Sequence, residues 1–200
     1  MTREQFATWQ VFDEIGRRKY LNDAERARFL AAADALPQSA RALCHVLVFT
    51  GCRVSEALSL RRHQLDADRR ALAIRTLKRR RLVFRVVPIP EALFDMLQSL
   101  PISDSGHFWT IHRSNAWRLV RRAMEKAQIN GPMACCRGLR HGFGIRAAGR
   151  HVPPNVIQRW MGHSSSTTTA IYLEALGQEE RDFAERMWSV DLSYAERRKL

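Results

Sequence analysis

Residues 138–172 read GLRHGFGIRAAGRHVPPNVIQRWMGHSSSTTTAIY, and the organisation of the whole chain is clearest from here. The stretch reads as helices near 138–149, 153–161 and 167–176. Titratable side chains recur along it at long spacing. Arg140 and His141 open it, His163 follows Arg140 by 23 positions, and Tyr172 follows His163 by nine.

Upstream, ALAIRTL (71–77) and LVFRVVP (82–88) are β-like runs, with Lys78, Arg79, Arg80 and Arg81 between them. This pattern predicts a hairpin with four basic residues at its tip. Before it, Asn22 and Glu25 form a capping-box pattern that predicts a helix to about Leu36, ended by Pro37. A second helix carries Leu43, Val46 and Leu47, Thr50-Gly51 interrupts it, and a third runs from about Val54 to Leu60. Phe6, Trp9, Phe12 and Ile15 recur at three-residue spacing within residues 1–20 and predict a short N-terminal helix, or a remnant that docks on the domain or a partner. Further helices are expected near 91–100, 114–128 and 178–188, the last with Phe183, Met187 and Trp188 on one face. The class is α+β: a mostly helical domain with one small antiparallel sheet or hairpin. The expected division is an extension over 1–20, the main domain over 21–189 and a tail over 190–200.

The 200 residues suffice for one sizeable domain, and a hydrophobic content of 46% argues against wholesale disorder. The net charge of +13 points to a polyanionic partner, nucleic acid first. On the helix near 114–128, Arg118, Arg121, Arg122 and Lys126 fall largely along one side. That side reads equally as a phosphate-tracking face or as an ordinary solvated one. No apolar run is long enough to span a bilayer, and the charged N-terminus does not read as a signal peptide. Cys44, Cys52, Cys135 and Cys136 lack metal-ligand spacing and read as reduced thiols, so a cytoplasmic protein without a metal or other cofactor is expected.

Breaking a phosphodiester without a metal sets a definite list of parts. Negative charge grows on the non-bridging oxygens in the transition state, and two guanidinium groups can clamp it through bidentate hydrogen bonds. A tyrosine hydroxyl, with an ordinary pKa of about 10, needs help to lose its proton. The departing sugar oxygen needs a general acid, for which a lysine or histidine serves. Two arginines, a tyrosine and a lysine or histidine are therefore required, and this chain has them.

Three segments resemble the tyrosine recombinase (phage integrase) family. TGCRVSEALSL (50–60) resembles its first-arginine motif, GLRHGFG (138–144) its second-arginine box, and MGH with STTTAIY its last histidine and nucleophile segment. The resemblance covers about residues 21–189, and the order and spacing of the boxes make it specific. It implies that Arg53 and Arg140 clamp the scissile phosphate. Lys78 would donate a proton to the leaving 5′ oxygen, with Arg79, Arg80 and Arg81 beside it on DNA. His163 would bond the phosphate or assist proton transfer. Tyr172 would form a 3′-phosphotyrosine, which a second 5′ hydroxyl then attacks, without ATP or metal. The implied partner is double-stranded DNA carrying specific recombination sites, with self-assembly into a tetramer and an accessory protein as further expectations. The chain compares in length with the small recombinases of fimbrial phase variation. About 20 residues precede the resemblance, too few for the additional helical domain that usually completes the clamp on DNA. Weaker, steeply salt-dependent binding by this chain alone is therefore expected.

One position departs from the family pattern. Arg137 stands where the family commonly has the histidine of an H-x-x-R motif. Helical i, i+3 spacing still aims it toward the site, but an arginine stays protonated and does not serve as a base. The proton-handling role has moved, the chemistry is slower, or charge alone acts there; His141 is one substitute, and a structural role for it is the other reading. Two rival functions use the same parts. One is a DNA-binding regulator that kept the fold and lost catalysis; the other is a type IB topoisomerase.

Overall fold

The computed structural model describes residues 10–77 and 82–173. Eight helices and a small sheet appear among them: α1 (Asp23–Asp34), α2 (Gln38–Thr50), α3 (Val54–Leu58), β1 (Leu65–Asp66), β2 (Ala71–Arg75), β3 (Phe84–Pro88), α4 (Glu91–Gln98), α5 (Arg113–Lys126), α6 (Cys136–Gly149), α7 (Pro154–Met161) and α8 (Thr167–Leu173).

The expected capping box starts α1. The Asn22 side chain accepts from the Glu25 N–H at 2.8 Å, and Glu25 accepts from the Asn22 N–H at 3.0 Å. Two N–H groups that a helix start leaves without partners are thereby satisfied. The strands pair antiparallel in the order β1-β2-β3. Leu72 faces Val87 and Ile74 faces Arg85 across the inner side, while Phe84 and Val86 point outward. The two expected β runs therefore form the hairpin, and the short β1 adds an edge strand that its two residues do not announce. The hairpin tip, residues 78–81, lies outside the described residues, as does the helix expected near 178–188.

The N-terminal helix is corrected over residues 10–20. Asp13 accepts from the backbone N–H groups of Ile15 and Arg17 at 3.1 and 2.7 Å, and Phe12 bridges to Arg18. The Asp13 carboxylate thus closes a turn instead of leaving these N–H groups to a helix. Ile15 is left 74% exposed and Phe12 43%, so these two residues mark no buried stripe. Arg18 then donates to both carboxylate oxygens of Glu25 and ties this segment to α1.

Two apolar clusters organise the interior. The larger joins α1–α6 and the inner face of the sheet around Phe29, Leu43, Leu47, Leu72, Leu93 and Met124. The smaller lies beneath α6, α7 and α8 around Val11, Ala147, Ile157, Met161 and Tyr172. The candidate functional side chains stand where the two meet.

Candidate active site

Arg53 owes its position to the end of α2. Gly51 caps that helix in the left-handed region (φ 59°), and its N–H bonds to the Leu47 carbonyl. A Cβ at Gly51 would also lie 2.5 Å from the Phe143 ring, so glycine answers both a backbone and a packing demand. Arg53 follows as the N-cap of α3. Its backbone N–H and its Nη1 both donate to Glu56, each at 3.0 Å.

Glu56 is fully buried and also accepts from Arg85 Nη2 at 2.6 Å. Burial opposes its ionisation. The Arg85 charge, the Arg53 N–H and the Arg53 guanidinium outweigh that and hold the carboxyl below its ordinary range. Arg85 completes the frame through Nη1 to Thr76 Oγ1 at 3.0 Å and Nε to the Trp160 carbonyl at 2.7 Å. One inward-facing strand arginine thus fastens the hairpin to α3 and α7. Arg85 was not singled out from the sequence. Its signal is its place in LVFRVVP, two residues from Val83 and Val87 on the same face of the strand.

Arg140 lies on α6 and is also buried. It donates to the Gly51 carbonyl at 2.7 Å and to the Met161 carbonyl at 2.8 Å. These two carbonyls stand two residues before Arg53 and two before His163, so Arg140 knits the three sequence boxes together. Burial and the charge of Arg53 lower its pKa to about 10, which leaves it cationic at neutral pH.

Tyr172 is wholly buried between two imidazoles. The His163 ring stacks on it, with centroids 5.9 Å apart and planes at 22°. From the other side, His141 Nδ1 lies 3.1 Å from its hydroxyl. His163 Nδ1 is in turn 2.9 Å from Thr169 Oγ1. Close packing requires Gly144, where a Cβ would lie 2.7 Å from the Tyr172 ring. Burial raises the Tyr172 phenol to about 12, against the opposing charges of Arg140 and Arg53. Burial and neighbouring arginines lower both His141 and His163 to about 3, so both rings are neutral at pH 7. Arg53, Arg140, His163 and Tyr172, apart by up to 119 positions in the chain (53 to 172), therefore meet in one place.

The Phage integrase family model matches residues 19–179. The chain belongs to the phage integrase family. It is 28% identical over 180 residues to the tyrosine recombinase XerA of Thermococcus kodakarensis, covering 84% of this chain and 62% of that protein. It is 26% identical over 148 residues to the tyrosine recombinase XerD of Mycobacterium tuberculosis, covering 66% of this chain and 46% of that one. The chain thus spans less than two thirds of the length of these relatives. Its fold matches the crystal structure of XerA recombinase with a TM-score of 0.72 at 24% identity, over 84% of this chain and 64% of the other. It also matches the catalytic domain of bacteriophage HP1 integrase with a TM-score of 0.62 at 23% identity, over 83% and 93%. A third match is XerH site-specific recombinase bound to a palindromic difH substrate in a post-cleavage complex, with a TM-score of 0.73 at 21% identity, over 84% and 52%.

Within this phage integrase fold the remaining sequence-predicted residues are placed unequally. Lys78, Arg79, Arg80 and Arg81 lie outside the described residues, although a depression lined by Thr76, Phe84, Arg85 and His163 runs from the hairpin base to the site. Arg137 is exposed at the start of α6, and its charge is felt at His141 and at Lys19. On α5, Arg118 and Arg122 are exposed, with Arg118 bonded to Asn115 at 3.0 Å. Arg121 instead turns back to the Ala134 carbonyl at 2.8 Å and stands over the Trp117 ring, so part of that basic face is fastened to the domain itself. All four cysteines are free thiols. Among the described residues no helix is long and apolar enough to cross a membrane.

Proposed function

We propose that this chain breaks and rejoins DNA strands site-specifically, through a 3′-phosphotyrosine on Tyr172. The observation that carries the reading is the convergence of Arg53, Arg140 and His163 on the Tyr172 side chain. Two fixed guanidinium groups suit the extra negative charge of a pentavalent phosphorus, and such preorganised donors are worth on the order of 10²–10³ in rate each. Arg53 and Arg140 bind the non-bridging oxygens. His163, neutral in the free protein, adds a hydrogen bond to them. Tyr172 attacks in line, and Lys78 protonates the leaving 5′ oxygen. A 5′ hydroxyl from another strand then attacks the phosphotyrosine and releases Tyr172. The covalent link keeps the bond energy, so the exchange runs without ATP.

The partner is double-stranded DNA with specific recombination sites, held by a chain of net charge +13. Arg79, Arg80, Arg81, Arg118 and Arg122 are its phosphate-contacting residues, and Arg137 adds charge at the edge of the site. The working assembly is a tetramer on DNA, assisted by an accessory protein, in the cytoplasm. One observation favours the regulator reading: Tyr172 is fully buried in the DNA-free chain. The test incubates wild type and Tyr172→Phe with supercoiled DNA carrying the gene's own flanking sequences, with EDTA present, and resolves the products in SDS. A tyrosine-dependent covalent adduct supports strand transfer. Tight, site-defined binding without an adduct supports the regulator.

A further inference from the structure

Tyr172 must lose its proton to act, and the family's usual imidazole is missing, because position 137 holds an arginine that is exposed and permanently charged. Another imidazole stands one helical turn further along the same face of α6, at i+4 from Arg137 and next to Arg140. His141 Nδ1 lies 3.1 Å from the Tyr172 hydroxyl, within hydrogen-bond reach of the atom that reacts. We propose that His141 is the proton acceptor and donor for Tyr172, a part that the arginine at position 137 cannot take. The proposal rests on the strand-transfer reading above.

The geometry constrains how this works. Tyr172 is fully buried, and its hydroxyl proton needs an acceptor; among the described residues Nδ1 of His141 lies within reach. Nδ1 then carries a lone pair and Nε2 the hydrogen, with Nε2 buried and without a hydrogen-bond partner among the described residues. The charged groups around the ring are Arg140 and Arg137 on its own helix and Lys19 on the N-terminal segment, with Tyr172 and His163 packed beside it. Burial, together with the Arg140, Lys19 and Arg137 charges, keeps the imidazole neutral, and burial keeps Tyr172 protonated against the pull of Arg140 and Arg53 while the site is empty. A phosphodiester between Arg53 and Arg140 offsets that charge and makes an imidazolium at 141 tolerable. The proton therefore passes to His141 together with the bond that the phenolic oxygen makes to phosphorus, so no free tyrosinate has to form beside the phosphate.

The step balances. The Tyr172 O–H proton passes to His141 Nδ1 as the phenolic oxygen bonds to phosphorus. The bond from phosphorus to the 5′ oxygen breaks, and that oxygen takes its proton from the general acid. In the second step an incoming 5′ hydroxyl, deprotonated by that same group, attacks phosphorus, the bond to Tyr172 breaks, and the phenolic oxygen recovers its proton from His141.

Two measurements on the full chain decide the matter. The first needs no DNA. With ¹⁵N-labelled histidine, NMR of the wild-type protein reads which ring nitrogen of His141 carries hydrogen. The Nε2–H form is expected; an Nδ1–H form would overturn the proposal, since that nitrogen could not accept the proton. The second follows single-turnover adduct formation on the flanking-sequence DNA. His141→Asn keeps a hydrogen-bond acceptor near the Nδ1 position but cannot hold the proton, and its rate is expected to fall about 10²-fold. Replacing Tyr172 by the more acidic 3,5-difluorotyrosine is expected to restore about tenfold in that variant and to change the wild type far less. An unimpaired His141→Asn, or a folded one that the fluorinated residue does not rescue, would reduce His141 to packing. Absence of adduct from the wild type would count against strand transfer itself, while the NMR result stands independently of it.

Discussion

Arg53 and Arg140 are held by a buried carboxylate and backbone carbonyls, whereas Tyr172 is held by packing between two neutral rings. On the arginine side the positive charges already have fixed directions, through Glu56, Arg85 and the ends of α2 and α7. A phosphate would find that half assembled, with little left to order on binding. On the tyrosine side the hydroxyl proposed to react is out of solvent, and its phenol is harder to ionise than free tyrosine. On the proposed reading the electrostatic half of the site is kept ready and its nucleophile withheld, so that a protonated, covered Tyr172 does not attack the wrong phosphate.

The largest effect is expected at Glu56. Glu56→Gln leaves Arg85 buried without its counter-charge, and disrupting such a pair costs about 3–5 kcal/mol. Thermal unfolding should show a drop in midpoint of about 10 °C; a drop of a degree or two would mean that the ionic frame is not what holds the arginines.

The tyrosine side should respond to acid instead. His141 and His163 have folded pKa values of about 3 against an ordinary 6.5. The unfolded chain therefore takes up protons first as pH falls. Stability is full above about pH 6.5 and is lost progressively toward pH 3, by about 1.4 kcal/mol per pH unit for each imidazole. Urea unfolding at pH 7 and pH 5 should differ by about 4 kcal/mol. The difference should shrink by about half in His141→Phe, and an undiminished difference would place the effect elsewhere.

Much of this frame was legible before any coordinates. The capping box at Asn22 and Glu25, the stop at Gly51 and the two β runs are local signals, and each formed where its residues indicated. The boxes around Arg53, Arg140, His163 and Tyr172 were also readable, because their order and spacing carry information that no single box does. What stayed hidden depends on distant partners. Arg85 reads as one more polar residue in a strand until Glu56 arrives from α3. The spacing of Phe12 and Ile15 suggests a helix until Asp13 is seen closing a turn. Gly144 looks like a helix weakness, and only the Tyr172 ring against it explains the choice.

That last contact gives a smaller test. Gly144→Ala pushes a methyl group into the Tyr172 ring and should cost about 1–3 kcal/mol. Chemical denaturation would show it, and a neutral result would mean that the tyrosine side yields more readily than its packing suggests.

The smallest effects are expected on α5, where exposed and fastened arginines lie side by side. Arg122→Ala should leave stability within about 0.5 kcal/mol and reduce the slope of log affinity against log salt by about one. Arg121→Ala, which removes the bond to the Ala134 carbonyl, should instead cost about 1 kcal/mol of stability. Equal behaviour of the two in fluorescence-anisotropy salt titrations and unfolding curves would erase the distinction.

On the proposed reading Tyr172 becomes the covalent carrier of a DNA strand between Arg53 and Arg140. The most direct measurement digests an SDS-stable protein–DNA adduct with nuclease and protease and locates the residual nucleotide by mass spectrometry. A nucleotide on the peptide containing Tyr172, abolished by Tyr172→Phe and strongly reduced by Arg140→Ala, is the predicted result. A nucleotide on any other residue, or site-specific DNA recovered intact from a bound protein, would contradict it.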